Sequence, residues 1–369
     1  MKPTLLLLLL VISATTSFAG EQLLNLPAPP KGGRFKTPTE LVWPQEPGSA
    51  DICLWKDDKI AAASITIDDN CAPDHKWWLS VAKEFNLKLT WFIITDRVDG
   101  RNKGFDGTWA GWQELVNAGH SVQSHTTNHK SNPKNPAEGD PLLTEEDYNA
   151  MYADSLKALN AHLENNFACC IAYPRGEAKE EIASRYAIAG RGTSGVPSPA
   201  NAIDYMNVAI GSISQGYIEM LLDGHTELGP KWLGGKTHLK RGWATGLYHL
   251  VHHGKTPEEQ KEGEEKTYEQ LKYLASQSDR LWIDTFDMVA RYGQERDSAT
   301  LSSELKDGKI VITLSDRMND DIFNCPLTVK VRLPDDWKSV SKGKFVMHDG
   351  APYALVDIVP DRGETVLTK

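Results

Sequence analysis

The chain is short of cysteine, has no surplus of positive charge and shows no long apolar run after its first dozen residues. Each scarcity excludes something. The five cysteines (53, 71, 169, 170 and 325) cannot all pair within one chain, and none sits in a signature of nucleophilic cysteine catalysis. An oxidising compartment would permit a Cys53–Cys71 bridge, whereas Cys169 and Cys170, in a strand-like stretch, read as small buried hydrophobes. Lysine and arginine number 40 against 50 acidic residues, a formal net charge of −10. That balance argues against nucleic acid or an anionic membrane as the main partner. It says little about a neutral sugar and mildly disfavours a strongly anionic one. No segment after the first twenty residues is apolar enough for a membrane span. Internal repeats and low-complexity tracts are also lacking.

What is present begins with a leader. Lys2, the Leu5–Leu10 run, Val11-Ile12 and the small-x-small Ser17-Phe18-Ala19 read as a signal peptide over residues 1–19. Gly20, not a cysteine, stands directly after Ala19, so a bacterial lipid anchor is not expected. The expectation is an exported protein, secreted or periplasmic. Residues 20–50 are rich in Pro and Gly and read as an extended N-terminal lead. From 51 to 296 apolar runs alternate with helical patterns. Runs at 61–67, 89–95, 120–124, 168–173, 206–210 and 244–251 are separated or followed by helices at 75–86, 110–118, 144–165, 178–187, 213–223, 257–276 and 284–296. That alternation predicts an α/β domain with a parallel sheet, open or closed into a barrel. Residues 297–369 change to period-two patterning with Asp-Gly and Pro-Asp-Asp turns, which predicts a small C-terminal antiparallel β-domain.

The chemistry is concentrated in two segments. Ala61-Ala-Ala-Ser-Ile-Thr-Ile67 is a buried strand that ends in Asp68-Asp69, where strands of α/β enzymes deliver catalytic groups. His125-Thr-Thr-Asn-His129 follows a helix end, Gly119 and a short strand, and a helical turn would stack its two imidazoles on one face. One carboxylate with two imidazoles suits Zn²⁺ or a similar divalent ion with open positions. The second carboxylate is then free to act as a general base. This constellation proposes a hydrolase.

In order and spacing these segments resemble a polysaccharide deacetylase of the NodB-homology type, carbohydrate esterase family 4. Thr66-Ile67-Asp68-Asp69 is similar to its Thr-Phe-Asp-Asp motif. Gly119-His120-x-x-x-x-His125-Thr-x-x-His129 is similar to its histidine block, with Ser121 where Glu is usual. Ile171-Ala-Tyr-Pro-Arg-Gly176, Gly246-Leu-Tyr-His249 and Leu281–Tyr292 resemble its later motifs. The resemblance implies a distorted (β/α) barrel with the site at the strand C-termini. It implies Asp69, His125 and His129 as ligands of Zn²⁺ or another divalent metal such as Co²⁺, Mn²⁺ or Ni²⁺. It further implies Asp68 as general base, His249 as general acid and the Arg175 backbone N–H as an oxyanion donor. The implied activity is N-deacetylation of an amino-sugar glycan; O-deacetylation on the same site and an idle carbohydrate-binding protein are the alternatives.

Two departures from the family pattern stand out. Ala172 occupies the slot of the arginine that steers the base, leaving Arg191 and Arg175 as substitutes. The motif whose Asp tunes the acid histidine is missing, with Asp204 the nearest candidate or else a turn cap. His252, in Leu250-Val-His252, competes with His249 for the acid role. Among the aromatics, Trp77, Trp78 and Trp91 read as core. Trp109, Trp112, Trp232 and Trp243 are candidates for stacking on sugar, Trp232 and Trp243 foremost.

Overall fold

The computed structural model describes residues 22–29, 43–228, 231 and 239–369. The leader at 1–19 and Trp232 lie outside the described residues. In chain order the elements begin with β1 (Ala50–Ile52), β2 (Ala61–Ile67), α1 (His75–Phe85) and β3 (Leu89–Ile93). Next come α2 (Lys103–Asp106), α3 (Trp109–Asn117), β4 (Ser121–Ser124), α4 (Glu145–His162) and β5 (Cys170–Ala172). α5 (Glu180–Ala183), β6 (Ala189–Arg191), α6 (Gln215–Asp223), β7 (Trp243–Tyr248) and α7 (Pro257–Ser276) follow. β8 (Leu281–Ile283) and α8 (Phe286–Ser298) complete the α/β part. The rest is β9 (Thr300–Lys306), β10 (Lys309–Ser315), β11 (Leu327–Arg332), β12 (Lys344–His348), β13 (Ala351–Ile358) and β14 (Glu364–Leu367).

Seven parallel strands form the main sheet, in the order β6-β5-β4-β3-β2-β7 with β8 added against β2. β2 is buried at every residue, as a parallel strand covered on both faces must be. One of its edges pairs with β7 from Ala62↔Trp243 to Ile67↔Tyr248. The other edge is shared, Ala61–Ala63 going to β8 and Ile65–Ile67 to β3. β6 and β7 do not pair directly among the described residues. An irregular segment spans the gap instead: Val208 bridges Arg191, Ser198 bridges Trp243, and the Gly211 N–H donates to the Thr245 carbonyl. The result is the expected distorted (β/α) barrel. The 206–210 run is accordingly no strand. Tyr205–Asn207 is one short turn, because those residues plug a seam rather than extend a ladder.

The C-terminal region holds two antiparallel sheets, β1-β11-β13-β12 and β14-β10-β9. The first takes a strand from beyond residues 297–369, since Ala50–Ile52 pairs with Val329–Val331. Ile310, Ile312 and Leu314 alternate inward along β10 and share one core with Trp55, Trp282 and Phe286. This region therefore packs on the barrel through a common apolar interior.

Several expectations about single residues change. Trp112 and Trp243 are fully buried and unavailable to a sugar. Their indole N–H groups donate to the Asp106 carbonyl and to Ser64 Oγ. Trp109 is stacked on His162, with ring centroids 4.2 Å apart. Trp78 and Trp91 are core and Trp77 is half-buried. All five cysteines are free and buried, so the Cys53–Cys71 bridge is absent. The reason is distance along the barrel: Cys53 follows β1 and precedes β2, while Cys71 lies past the other end of β2. Among the described residues no helix is long and apolar enough to cross a membrane.

Candidate metal centre and active site

The site gathers where β2, β4, β5 and β7 end. The backbone N–H of Asp68 donates to the Tyr248 carbonyl at 2.9 Å, which sets the ends of β2 and β7 level. Immediately beyond, Asp69, Asn70 and Cys71 have φ of 59°, 66° and 48°, three consecutive non-glycine residues in the left-handed region. Such a run is costly and persists only where the surroundings hold it. Asn70 does the holding: its Oδ1 accepts from the Ile94 N–H at 2.9 Å and its Nδ2 donates to the Asp106 carbonyl at 2.9 Å. The turn aims Asp69 back over the sheet.

His125 and His129 are not on a helix. Their four-residue spacing is folded by a tight loop after β4 in which Thr126 (φ 68°) and His129 (φ 59°) are left-handed. Thr126 Oγ1 accepts from the His129 N–H at 3.0 Å and closes that loop. The rings lie edge to face with centroids 4.6 Å apart.

Asp69 Oδ1 is 3.6 Å from His125 Nε2 and 3.5 Å from His129 Nε2, and it is buried with no hydrogen-bond partner. Four-coordinate zinc with ligands at about 2.0–2.2 Å separates neighbouring donor atoms by roughly 3.4 Å. The observed spacings fit that requirement, and an orphaned buried carboxylate oxygen is what a cation would satisfy. His125 Nδ1 lies 2.8 Å from the Ala172 carbonyl, so the ring donates there and keeps Nε2 as a lone-pair donor. Burial holds both histidines below the usual histidine pKa, against the upward pull of Asp68 on His125 and of Asp69 on His129, and so favours the neutral form a ligand needs.

Asp68 is 2 % exposed and gripped by Arg191, whose Nη2 contacts both carboxylate oxygens. Arg191 is itself fully buried, donates from Nη1 to the Gly192 carbonyl at 2.7 Å and lies over the Phe92 ring. Ala172 and Arg191 are register partners across β5 and β6. The guanidinium missing from position 172 is thus supplied by the adjacent position on the neighbouring strand. Of the two substitutes considered, Arg191 is the one that reaches Asp68. Burial pushes the Asp68 carboxyl up, but Arg191 and then His125 outweigh it and hold the pKa below the ordinary carboxylate value. Asp68 is a fixed anion.

His249 follows β7, and its Nε2 is 3.6 Å from Asp69 Oδ2. It borders a cavity of about 490 Å³ together with Asp69, Phe105 and Tyr248. His252 points elsewhere. Its Nδ1 is 2.6 Å from Asp74 Oδ1 and its Nε2 is 3.1 Å from Glu264 Oε2, so both nitrogens are engaged between α1 and α7. Asp74 also accepts from the Val251 N–H. His252 therefore clamps the loop that carries His249. Asp204, the other tuning candidate, heads the turn Tyr205–Asn207, and its charge acts on Tyr173. Arg175 (φ 54°) and Gly176 (φ 75°) form a left-handed turn after β5, and Arg175 acts electrostatically on His129. A side chain at 176 is excluded, since its Cβ would stand 2.2 Å from Thr193 Oγ1.

Two histidines away from the ligand trio titrate with opposite sign. Burial works against a charged His252, but Asp74 and then Glu264 raise its pKa above the usual value. Its stabilisation is present below the unfolded pKa and disappears as pH rises through the folded one. His252→Gln should therefore lower the unfolding free energy more at pH 5.5 than at pH 8.5, by up to about 1 kcal/mol for so exposed a pair. A loss equal at both pH values would contradict the charged clamp. His120 behaves in the reverse way. It is 8 % exposed, its Nδ1 accepts from the Leu89 N–H at 3.2 Å, and burial, then Lys88, pushes its pKa down to about 4. Its contribution is complete above the unfolded pKa and is lost as pH falls towards 4, at a cost of about 3 kcal/mol. Urea unfolding at pH 7 and pH 4.5 should show a flatter acid decline for His120→Gln, and parallel declines would rule the assignment out.

The polysaccharide deacetylase family model matches residues 56–191, the span from before β2 to the end of β6. Over that span the chain is similar to the polysaccharide deacetylase family. The match contains Asp68, Asp69, His125, His129, Arg175 and Arg191; His249 lies beyond it. A curated relative, a gellan lyase of a Bacillus species, is 36% identical over 93% of this chain. The chain spans only 14% of that relative's length. Among solved structures, a polysaccharide deacetylase of Mycobacterium smegmatis aligns with TM-score 0.41 at 14% identity, covering 68% of this chain and 94% of the other. A Streptococcus pyogenes deacetylase in complex with acetate aligns with TM-score 0.34 at 23% identity, covering 40% and 62%.

Proposed function

We propose that the protein is a metal-dependent carbohydrate deacetylase that hydrolyses N-acetyl groups of an amino-sugar-containing poly- or oligosaccharide. The observation carrying this reading is a buried carboxylate, Asp68, held ionised by Arg191 beside the Asp69–His125–His129 trio. A binding protein has no use for a fixed base next to three converging ligands. Asp69, His125 and His129 would hold a divalent ion, zinc or another such as Co²⁺, Mn²⁺ or Ni²⁺, which when bound would supply a Lewis acid able to acidify water and polarise an acyl oxygen. Asp68 accepts the proton of the attacking water, since its pKa keeps it ionised. The Arg175 backbone N–H donates to the oxygen on which negative charge develops. His249 returns a proton to the departing nitrogen, which an amide requires because an amine anion is too poor a leaving group. Action outside the cytoplasm is part of the proposal and rests on the leader-like residues 1–19.

O-acetyl groups are the second reading, favoured by one observation. Among the described residues the only carboxylate paired with the His249 ring is Asp69, itself one of the three candidate metal ligands. An ester asks less of its acid than an amide does. Acetate release from matched N-acetylated and O-acetylated oligosaccharides separates the two. With His249→Ala, amide turnover should fall about 100-fold or more, and activated-ester turnover much less. Equal losses on both substrates would remove the acid role from His249.

A further inference from the structure

The His129 side of the site carries unpaired positive charge. Arg97, at the end of the turn Thr95–Arg97 after β3, and Arg175, after β5, both act electrostatically on His129. Lys134, in the loop that follows His129, shares a cavity of about 500 Å³ with Arg175 and Glu177. Arg97, Lys134 and Arg175 are all exposed, and none forms an ion pair with another described residue. Of the carboxylates around them, Asp106 feels the Arg97 charge without forming an ion pair with it, and two more are engaged elsewhere. Glu177 accepts from the Asn132 N–H at 2.6 Å and pairs with Lys179 at 3.1 Å. Asp99 pairs with Lys103 at 3.6 Å.

In a chain of net charge −10, three cations left unpaired along one rim of an active site form a local field opposite to the average. Two of them are guanidiniums, whose planar fork matches a carboxylate. We propose that this rim is a subsite for a sugar carboxylate, so that the acetylated substrate is a hexuronate-bearing glycan. The inference rests on the deacetylase reading and specifies its substrate class. It also revises what overall charge suggested about anionic glycans, because recognition depends on the potential at the mouth.

The test uses two probes: a tetrasaccharide alternating hexuronate and N-acetylhexosamine, and the same oligosaccharide with its carboxylates reduced to alcohols. Calorimetry on metal-free and zinc-loaded protein should show the acidic form binding about tenfold tighter in both states, the scale of one charge-assisted hydrogen bond. The Arg97→Gln/Lys134→Gln variant should lose most of that preference while its melting temperature holds. Equal affinities, a preference that survives the double substitution, or a preference seen only with zinc present would each overturn the subsite. Acetate release is scored separately. Release without carboxylate preference sinks the subsite alone, and preference without release from this oligosaccharide or its O-acetylated counterpart sinks the deacetylase reading alone.

Discussion

Replacing Arg191 with methionine should cut deacetylation about 100- to 1,000-fold and destabilise the protein by about 3–5 kcal/mol. Both effects have one origin. The guanidinium is fully buried and contacts both oxygens of an equally buried carboxylate. Removing it leaves Asp68 with its burial penalty and little to oppose it, so the carboxyl rises and takes up a proton. The residual activity should then need a higher pH, because Asp68 must ionise before it can accept a proton. Arg191→Lys keeps the charge without the fork and should fall between, about tenfold down. Rates and unfolding free energies measured across pH 5 to 9 check this. An unchanged acid limb in Arg191→Met would separate Arg191 from the base and leave it a merely structural role.

Asp68→Asn should abolish turnover, by about 1,000-fold or more, while leaving metal affinity nearly intact. The asparagine is close to isosteric and can still accept from Arg191, but it cannot take a proton from water. The three ligand residues are untouched. The stability effect is a separate prediction, because the change strands the Arg191 charge. In a double-mutant cycle, Asp68→Asn with Arg191→Met should cost far less than the sum of the singles, since the double variant buries no unpaired ion. Additive losses would mean that the two side chains do not act as one unit. Retained turnover in Asp68→Asn would move the base role elsewhere.

Much of this architecture is legible in the sequence. Ala61–Ile67 ends in two acids, and an apolar strand buried on both faces has few other readings. The histidine pair was legible as chemistry but not as geometry. Four-residue spacing suggests a helix, whereas Thr126 and His129 reach the same juxtaposition through left-handed backbone that only tertiary contacts sustain. Arg191 was one of two substitutes, and nothing local could choose between them. The choice depends on the Ala172↔Arg191 register, which exists only once β5 and β6 pair. Asn70, Asp74 and Glu264 carry no local signal for the same reason. Asn70 pins the Asp69 turn through groups 24 and 36 residues away, and Asp74 meets His252 across 178. The tryptophans misled because composition cannot distinguish an indole that stacks on sugar from one that fills a seam, as Trp243 does between β2 and the closing segment.

The measurement that bears most directly on the central claim is acetate release from an acetylated glycan by protein stripped with chelator and then reloaded with zinc. The ligand trio and its fixed base predict release lost on stripping, restored by one equivalent of zinc per chain, and not restored in Asp69→Ala. Release that persists after stripping, or that returns in Asp69→Ala to the level of the unaltered protein, would contradict the account.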